Sequence, residues 1–307
     1  MALSRRGLLA GMGATLGTGM MTGALAPAWA RTTLGAMQID TLSDGTLTLP
    51  GDFIFGPMPQ DDLAPILARL GQSRENLTPE CNLTLLRHED RVILFDVGSG
   101  PDFMPTAGEL VDALDAQGLT PDDVTHVVFT HGHPDHLWGL LDDFDDPLFY
   151  GATYMMGQAE FDYWMDDSTV DTIGAERQAF AVGAKRRLER IAENIQTFQG
   201  DTEVLPGVYA HATPGHTPGH MAFELRDGSS SLMVLGDAIG NHHIAFARPE
   251  WESGSDQDPA MAAQTRARLF DQITADQMQI IGFHLPGGGM GRVGASSDGY
   301  VFEGAEA

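Results

Sequence analysis

His126-Val127-Val128-Phe129-Thr130-His131-Gly132-His133-Pro134-Asp135-His136 is the stretch from which the rest of the chain can be read. Val127, Val128 and Phe129 form a short apolar run, the pattern of a buried strand. Four side chains that can ligate a metal follow within six residues. His131 and His133 are two apart, so in an extended segment their imidazoles fall on one side and can share a cation. Asp135 and His136 come as the chain turns, into a helix expected over 137–141, and so point at a second position nearby. Imidazole nitrogen and carboxylate oxygen are ligands that Zn²⁺, Mn²⁺ or Fe accept, and mixed sets of them leave a coordination position open for water.

Two later segments can complete such a site. Thr213-Pro214-Gly215-His216-Thr217-Pro218-Gly219-His220 reads as a loop between strands with two histidines, and Gly236-Asp237 ends the apolar run Leu232-Met233-Val234-Leu235. A carboxylate at a strand end can bridge two cations. The single cysteine, Cys81, permits neither an internal disulfide nor a thiolate cluster. Any metal is therefore left to His, Asp and Glu.

These residues resemble the metallo-β-lactamase superfamily. His131 to His136 match its His-x-His-x-Asp-His signature, His216 its middle histidine, Asp237 its bridging aspartate and His284, in Phe283-His284-Leu285-Pro286, its terminal histidine; Leu94-Phe95-Asp96-Val97-Gly98 is similar to its early strand and turn. The resemblance covers residues 37 to 300. It implies an α/β fold, a single-domain, four-layer αββα sandwich with the metals at one edge of the sheets. It also implies two divalent ions, Zn first with Mn, Fe or Co as alternatives. His131, His133 and His216 would hold one and Asp135, His136 and His284 the other, with Asp237 between them. A hydroxide bridging the ions would be the nucleophile, and Asp135 or Asp237 would take its proton. Gly236-Asp237 stands where β-lactamases place a cysteine or an extra histidine, which argues against a β-lactam substrate. Within the superfamily the pattern is closest to the methyl parathion hydrolase and lactonase branch, although Gly240 stands where lactonases often carry a tyrosine.

Composition narrows the substrate. Seventeen Lys and Arg against 43 Asp and Glu give a net charge of −26, which opposes phosphate backbones and anionic lipid surfaces. The densest basic run, Lys185-Arg186-Arg187, is followed at once by Glu189. Nucleic acid and membrane are thus excluded as expected partners. Arg5-Arg6, the apolar Gly- and Ala-rich stretch 7–26 and Ala28-Trp29-Ala30 form a twin-arginine type export signal over residues 1–30, so a periplasmic or secreted protein is expected. Its removal leaves −28 on 31–307, which read as one domain.

The periodicity predicts a hairpin over 37–50 turning at Ser43-Asp44-Gly45, with a helix over 63–70 capped by Asp61-Asp62 and stopped by Gly71. Strands follow at 82–86, 92–95 and 126–130, with a helix at 109–117 and another strand around 149–155. A helix at 175–195, strands at 208–212, 222–225 and 232–235, a helix at 259–272 and a last strand near 278–282 complete the reading. Asn241-His242-His243 follow Asp237 closely enough to line a pocket. Phe161, Tyr163, Trp164, Phe246 and Trp251 are candidates for an aromatic wall, of which Trp164 and Phe246 are carried forward with His242 and His243 as pocket residues. His220 is assigned a structural hydrogen bond.

The expectation is a dinuclear metal-dependent hydrolase of small neutral esters of phosphotriester or aryl ester type. The alternative is a lactonase opening acyl-homoserine or related lactones. The rival class is a non-hydrolytic metal-binding or sulfur-redox member of the same fold. A homodimer is expected by family analogy alone.

Overall fold

Strand alternation decides where each apolar side chain goes, and the computed structural model, which describes residues 30–297 and 299–305, shows the outcome. The export signal expected over 1–30 lies, apart from Ala30, outside these residues. One sheet holds β1 (Arg31–Leu34), β2 (Met37–Thr46), β3 (Glu80–His88), β4 (Arg91–Phe95), β5 (His126–Phe129), β6 (Thr153–Gly157) and β7 (Gln196–Phe198), in that spatial order. The other holds β8 (Thr202–Leu205), β9 (Val208–Ala212), β10 (Met221–Asp227), β11 (Ser230–Val234), β12 (Gln279–Ile281), β13 (Met290–Ser296) and β14 (Gly299–Gly304), again in chain order. Each sheet is therefore built from a continuous half of the chain. Pairing is antiparallel from β1 to β4 and parallel from β4 to β7. In the second sheet only β11 and β12 are parallel, and helix Pro259–Ala275 lies in the crossover between them.

Ile39, Leu86, Ile93, Phe95 and Val128 meet Phe223, Leu225 and Val234 between the sheets. Their neighbours Leu85, Leu94, Val127 and Phe129 point the other way, into a core shared with Leu114, Trp164, Ala181 and Leu188 of the helices on that side. On the far face Ala222, Met233 and Ile280 pack against Leu269, Phe270 and Ile273 of helix Pro259–Ala275. The layers run helix, sheet, sheet, helix, the architecture expected. Each fully buried Leu or Phe in them contributes roughly 1.5–3 kcal/mol of hydrophobic stabilisation.

Local expectations needed correction. The segment expected as a 37–50 hairpin is mostly one strand, β2, paired with β1 and β3, and the chain reverses at Gly35-Ala36 instead. Asp44 is not a turn residue because its carboxylate is buried and accepts the backbone N–H groups of Ser99 and Leu110. The helix expected from 63 begins earlier, as Gln60–Leu70, with Pro59 in the cap position and Asp61-Asp62 inside its first turn, where carboxylates favour the helix dipole. Beyond the site motif the chain turns through helix Pro134–Leu137 and a 3₁₀ turn at Trp138–Leu140 rather than a helix over 137–141. The long helix is Gln178–Ile191, preceded by a 3₁₀ turn. The β13–β14 hairpin, rich in Gly and polar residues, was not foreseen.

The topology positions chemistry at one edge. The carboxyl ends of β5, β11 and β12 and the β9–β10 connection come together there, and ligand sites in open sheets form outside strand carboxyl ends.

Candidate metal centre

His131 follows β5 across a bend at Thr130, and His133, in extended conformation, caps the short helix Pro134–Leu137 with Pro134 at its first position. Their side chains converge with His216 from the β9–β10 loop. His131 Nε2 lies 3.1 Å from His133 Nδ1, which lies 2.9 Å from His216 Nε2. The helical turn carries Asp135 and His136 away to a second position, where they meet Asp237, just after β11, and His284, just after β12. Asp135 Oδ2 is 3.2 Å from His284 Nε2 and 3.5 Å from His136 Nε2. Within each group the ligand atoms lie within 4.8 Å of one another, and all seven residues are buried. Asp237 joins the groups, since its Oδ2 is 3.3 Å from both His216 Nε2 and His284 Nε2.

The outer nitrogens fix which ring atom faces inward. His131 Nδ1 donates to Thr130 Oγ1 (3.0 Å), whose own hydroxyl donates to Asp96 (2.7 Å). His136 Nδ1 donates to Asp96 Oδ2 (2.8 Å), His216 Nδ1 to Asp256 Oδ1 (2.9 Å) and His284 Nδ1 to the Glu80 carbonyl (2.8 Å). Each of these four rings thereby turns its Nε2 toward the cluster, the usual outer support of metal-ligating histidines. His133 is reversed: Nδ1 faces the cluster and Nε2 meets the side-chain amide of Gln257 at 3.2 Å. His220 belongs to neither group. Its Nδ1 contacts Thr213 Oγ1 (2.7 Å) and its Nε2 accepts the Asp237 N–H (3.0 Å).

Burial drives His131, His133 and His220 toward the neutral form, well below the ordinary imidazole pKa, and neighbouring histidines add to it. In the other three rings carboxylates outweigh burial. His136 among Asp237, Asp135 and Asp96, and His284 beside Asp237 and Asp135, are held well above the usual value, and His216 between Asp237 and Asp256 is pushed up to about 9. Burial alone would raise Asp135 and Asp237, but the facing histidines hold both far below the usual carboxylate range. Two ionised buried carboxylates require compensating positive charge. The donor set fits a divalent pair by a second criterion. His136 Nε2 and Asp237 Oδ1 are buried without a hydrogen-bond partner, although only 3.3 Å apart.

His216, Asp237 and His284 form the floor of a cavity of about 320 Å³. Leu49, Ile54 and Leu77 give it an apolar side, Gln72, Asn76 and Asn241 a polar one, and among the described residues that line it there is no lysine or arginine. His242 and His243 both line it. His242 Nε2 lies 3.3 Å from Gln72 Nε2, while His243 accepts the Ile244 N–H and is pushed down to about 3 by burial and by His242.

Trp164 and Phe246 do not line the cavity. Trp164 is fully buried behind the site, its ring centre 5.9 Å from that of His133 and its indole N–H donated to Glu160. Helix Ile244–Ala247 turns Phe246 onto the outer face of the second sheet, where it packs against Phe270 (4.9 Å) and Phe302 (5.8 Å). Tyr163 is held by the Gln257 amide, and Trp251 packs beside the cluster of Phe55, Leu63 and Ile66. Asp256, Gln257 and Glu80, which support ligands from outside, carried no spacing signal; Asp96 stood within a quoted motif but without an assigned role.

Residues 78–284 match the metallo-beta-lactamase superfamily. An N-acyl homoserine lactonase of Bacillus cereus is 26% identical over 138 residues, 43% of this chain and 45% of that protein. Metallo-beta-lactamase domain-containing protein 1 of Homo sapiens is 30% identical over 196 residues, 60% of this chain and 58% of its own. The chain thus spans about half the length of these curated relatives. Among solved structures, AidC, a dizinc quorum-quenching lactonase in complex with a product, superposes with a TM-score of 0.85 at 21% identity, covering 91% of this chain and 98% of that one. The hydrolase AbOPH gives 0.83 at 26% identity with the same coverage. Fold, motif and match over most of the described residues agree, and the protein belongs to the metallo-beta-lactamase superfamily.

Proposed function

We propose that this protein is a hydrolase that uses two divalent metal ions to cleave small, uncharged ester-type substrates. The observation that carries the reading is the pair of buried ligand groups sharing Asp237 on the floor of a single cavity. Two cations bound there supply the charge that polarises a carbonyl or phosphoryl oxygen and makes water acidic enough to attack near neutral pH. Asp135 and Asp237, the two buried carboxylates of the cluster, are the groups placed to accept a proton. His131, His133, Asp135, His136, His216, Asp237 and His284 are assigned as the ligands. A wall without lysine or arginine disfavours anionic substrates.

Phosphotriesters and aryl esters form one substrate class and lactones the other. The amides of Gln72, Asn76 and Asn241 favour lactones that carry an acylamide, because a buried amide needs polar partners; the lactonase relatives support the same choice. The amino-terminal segment supports export to the periplasm or beyond.

Chelator dialysis followed by Zn²⁺, Mn²⁺ or Co²⁺ add-back tests the chemistry. Hydrolysis of a panel containing a paraoxon-like triester, an aryl acetate, dihydrocoumarin, an acyl-homoserine lactone and a thioester should vanish and return. Turnover indifferent to metal removal would overturn the reading. His133→Ala should abolish most turnover and His88→Ala should not.

A further inference from the structure

We infer that Glu160 is a positioning residue for the three-histidine group, its carboxylate tying together the two loops that carry His131, His133 and His216. The inference rests on the two-metal reading above. Glu160 sits in the first turn of helix Gln158–Met165, directly after β6, and is fully buried. Its Oε1 accepts the Gly132 N–H (2.9 Å) and the Trp164 indole N–H (2.6 Å). Its Oε2 accepts the Thr217 hydroxyl (2.8 Å) and the Gly219 N–H (3.0 Å).

Gly132 lies between His131 and His133, and Thr217 follows His216. One carboxylate is therefore a single residue away from each of the three imidazoles. An ionised carboxylate accepts at both oxygens, whereas a glutamine of the same shape presents a donor at one end. Four donors on one buried group leave no such end free, and the group does not line the cavity.

The glycines of both loops are fitted to this clamp. A Cβ on Gly132 would lie 2.4 Å from Trp164 Nε1, and one on Gly219 would lie 2.1 Å from the Glu160 backbone nitrogen. Neither loop could approach so closely with a side chain there. His284, by contrast, is held on a segment that none of the four donors adjoins, and His136 has its own anchor in Asp96, while Asp237 is reached only at one remove, through its N–H to His220 beside Gly219, and Asp135 only through the helical turn that begins at Pro134. The clamp thus acts most directly on the three-histidine group and only at one remove on the other.

Metal-stripped wild type, Glu160→Gln and Thr217→Val are each titrated with Zn²⁺ against a chromophoric chelator and with Co²⁺ by absorption spectroscopy, with circular dichroism as the folding check. Wild type should take up two equivalents. In Glu160→Gln one equivalent should weaken by about 10–100-fold, with an altered Co²⁺ spectrum, while the other changes far less. Thr217→Val, which removes a single donor, should weaken the same equivalent by less and carries the test if Glu160→Gln does not fold. Equal weakening of both equivalents, or no change in either, overturns the clamp. Fewer than two equivalents in wild type overturns the two-metal reading instead.

Discussion

Replacing Asp44 by asparagine isolates one buried titration. The carboxylate accepts the Ser99 N–H at 2.7 Å and the Leu110 N–H at 2.9 Å. Burial, partly offset by these bonds, pushes its pKa up from 3.8 to about 6. A carboxyl that holds its proton more tightly when folded stabilises the fold while protonated. Its contribution is complete below pH 3.8 and is lost as the pH rises through about 6. At 1.36 kcal/mol per pKa unit the loss amounts to about 3 kcal/mol by pH 7. The amide of Asp44→Asn does not titrate, and the donor it turns toward one of the two N–H groups costs the same at every pH. The unfolding free energy of Asp44→Asn relative to wild type, from urea melts of the metal-stripped proteins, should therefore improve by about 2–3 kcal/mol between pH 4 and pH 7. A difference that stays flat, or moves the other way, refutes the reasoning. The site has a stake in this, because the loop held by Asp44 begins at Asp96, the acceptor for His136.

Asp256→Asn exchanges the acceptor for His216 Nδ1 for a weaker one and should lower metal affinity by about 10–100-fold; an unaltered chelator competition curve would remove Asp256 from the site's support. His242→Ala should raise KM with metal content unchanged, and loss of metal in that variant would contradict its place on the cavity wall. Phe246→Ala should cost about 3–5 kcal/mol of stability and leave KM alone. A raised KM with intact stability would return Phe246 to the pocket.

What could be read without coordinates follows from what each residue's neighbours in sequence reveal. The 131–136 motif carries its own geometry, since a spacing of two in an extended segment and a turn after Pro134 dictate two metal positions. The layer order followed from the resemblance, and the strands that proved clearest, such as 126–130 and 232–235, are those buried on both faces. Asp44 misled because Ser-Asp-Gly is turn chemistry only when the aspartate faces water, and here backbone donors from two distant loops claim it. Trp164 and Phe246 misled because an aromatic side chain looks the same in sequence whether it lines a cavity or fills a core. Asp256 and Glu160 stayed hidden among 43 acids because their partners are distant: Asp256 meets His216, 40 residues away, and Glu160 meets Thr217, 57 away.

The division of the chain into one sheet per half makes the seven candidate ligands a rivet between halves. Residues 131–136 come from the first sheet's half, and His216, Asp237 and His284 from the second's. Neither half alone holds a complete set for either position. A cation that binds both halves favours their docked state by mass action, so metal loading would report that the two sheets have met.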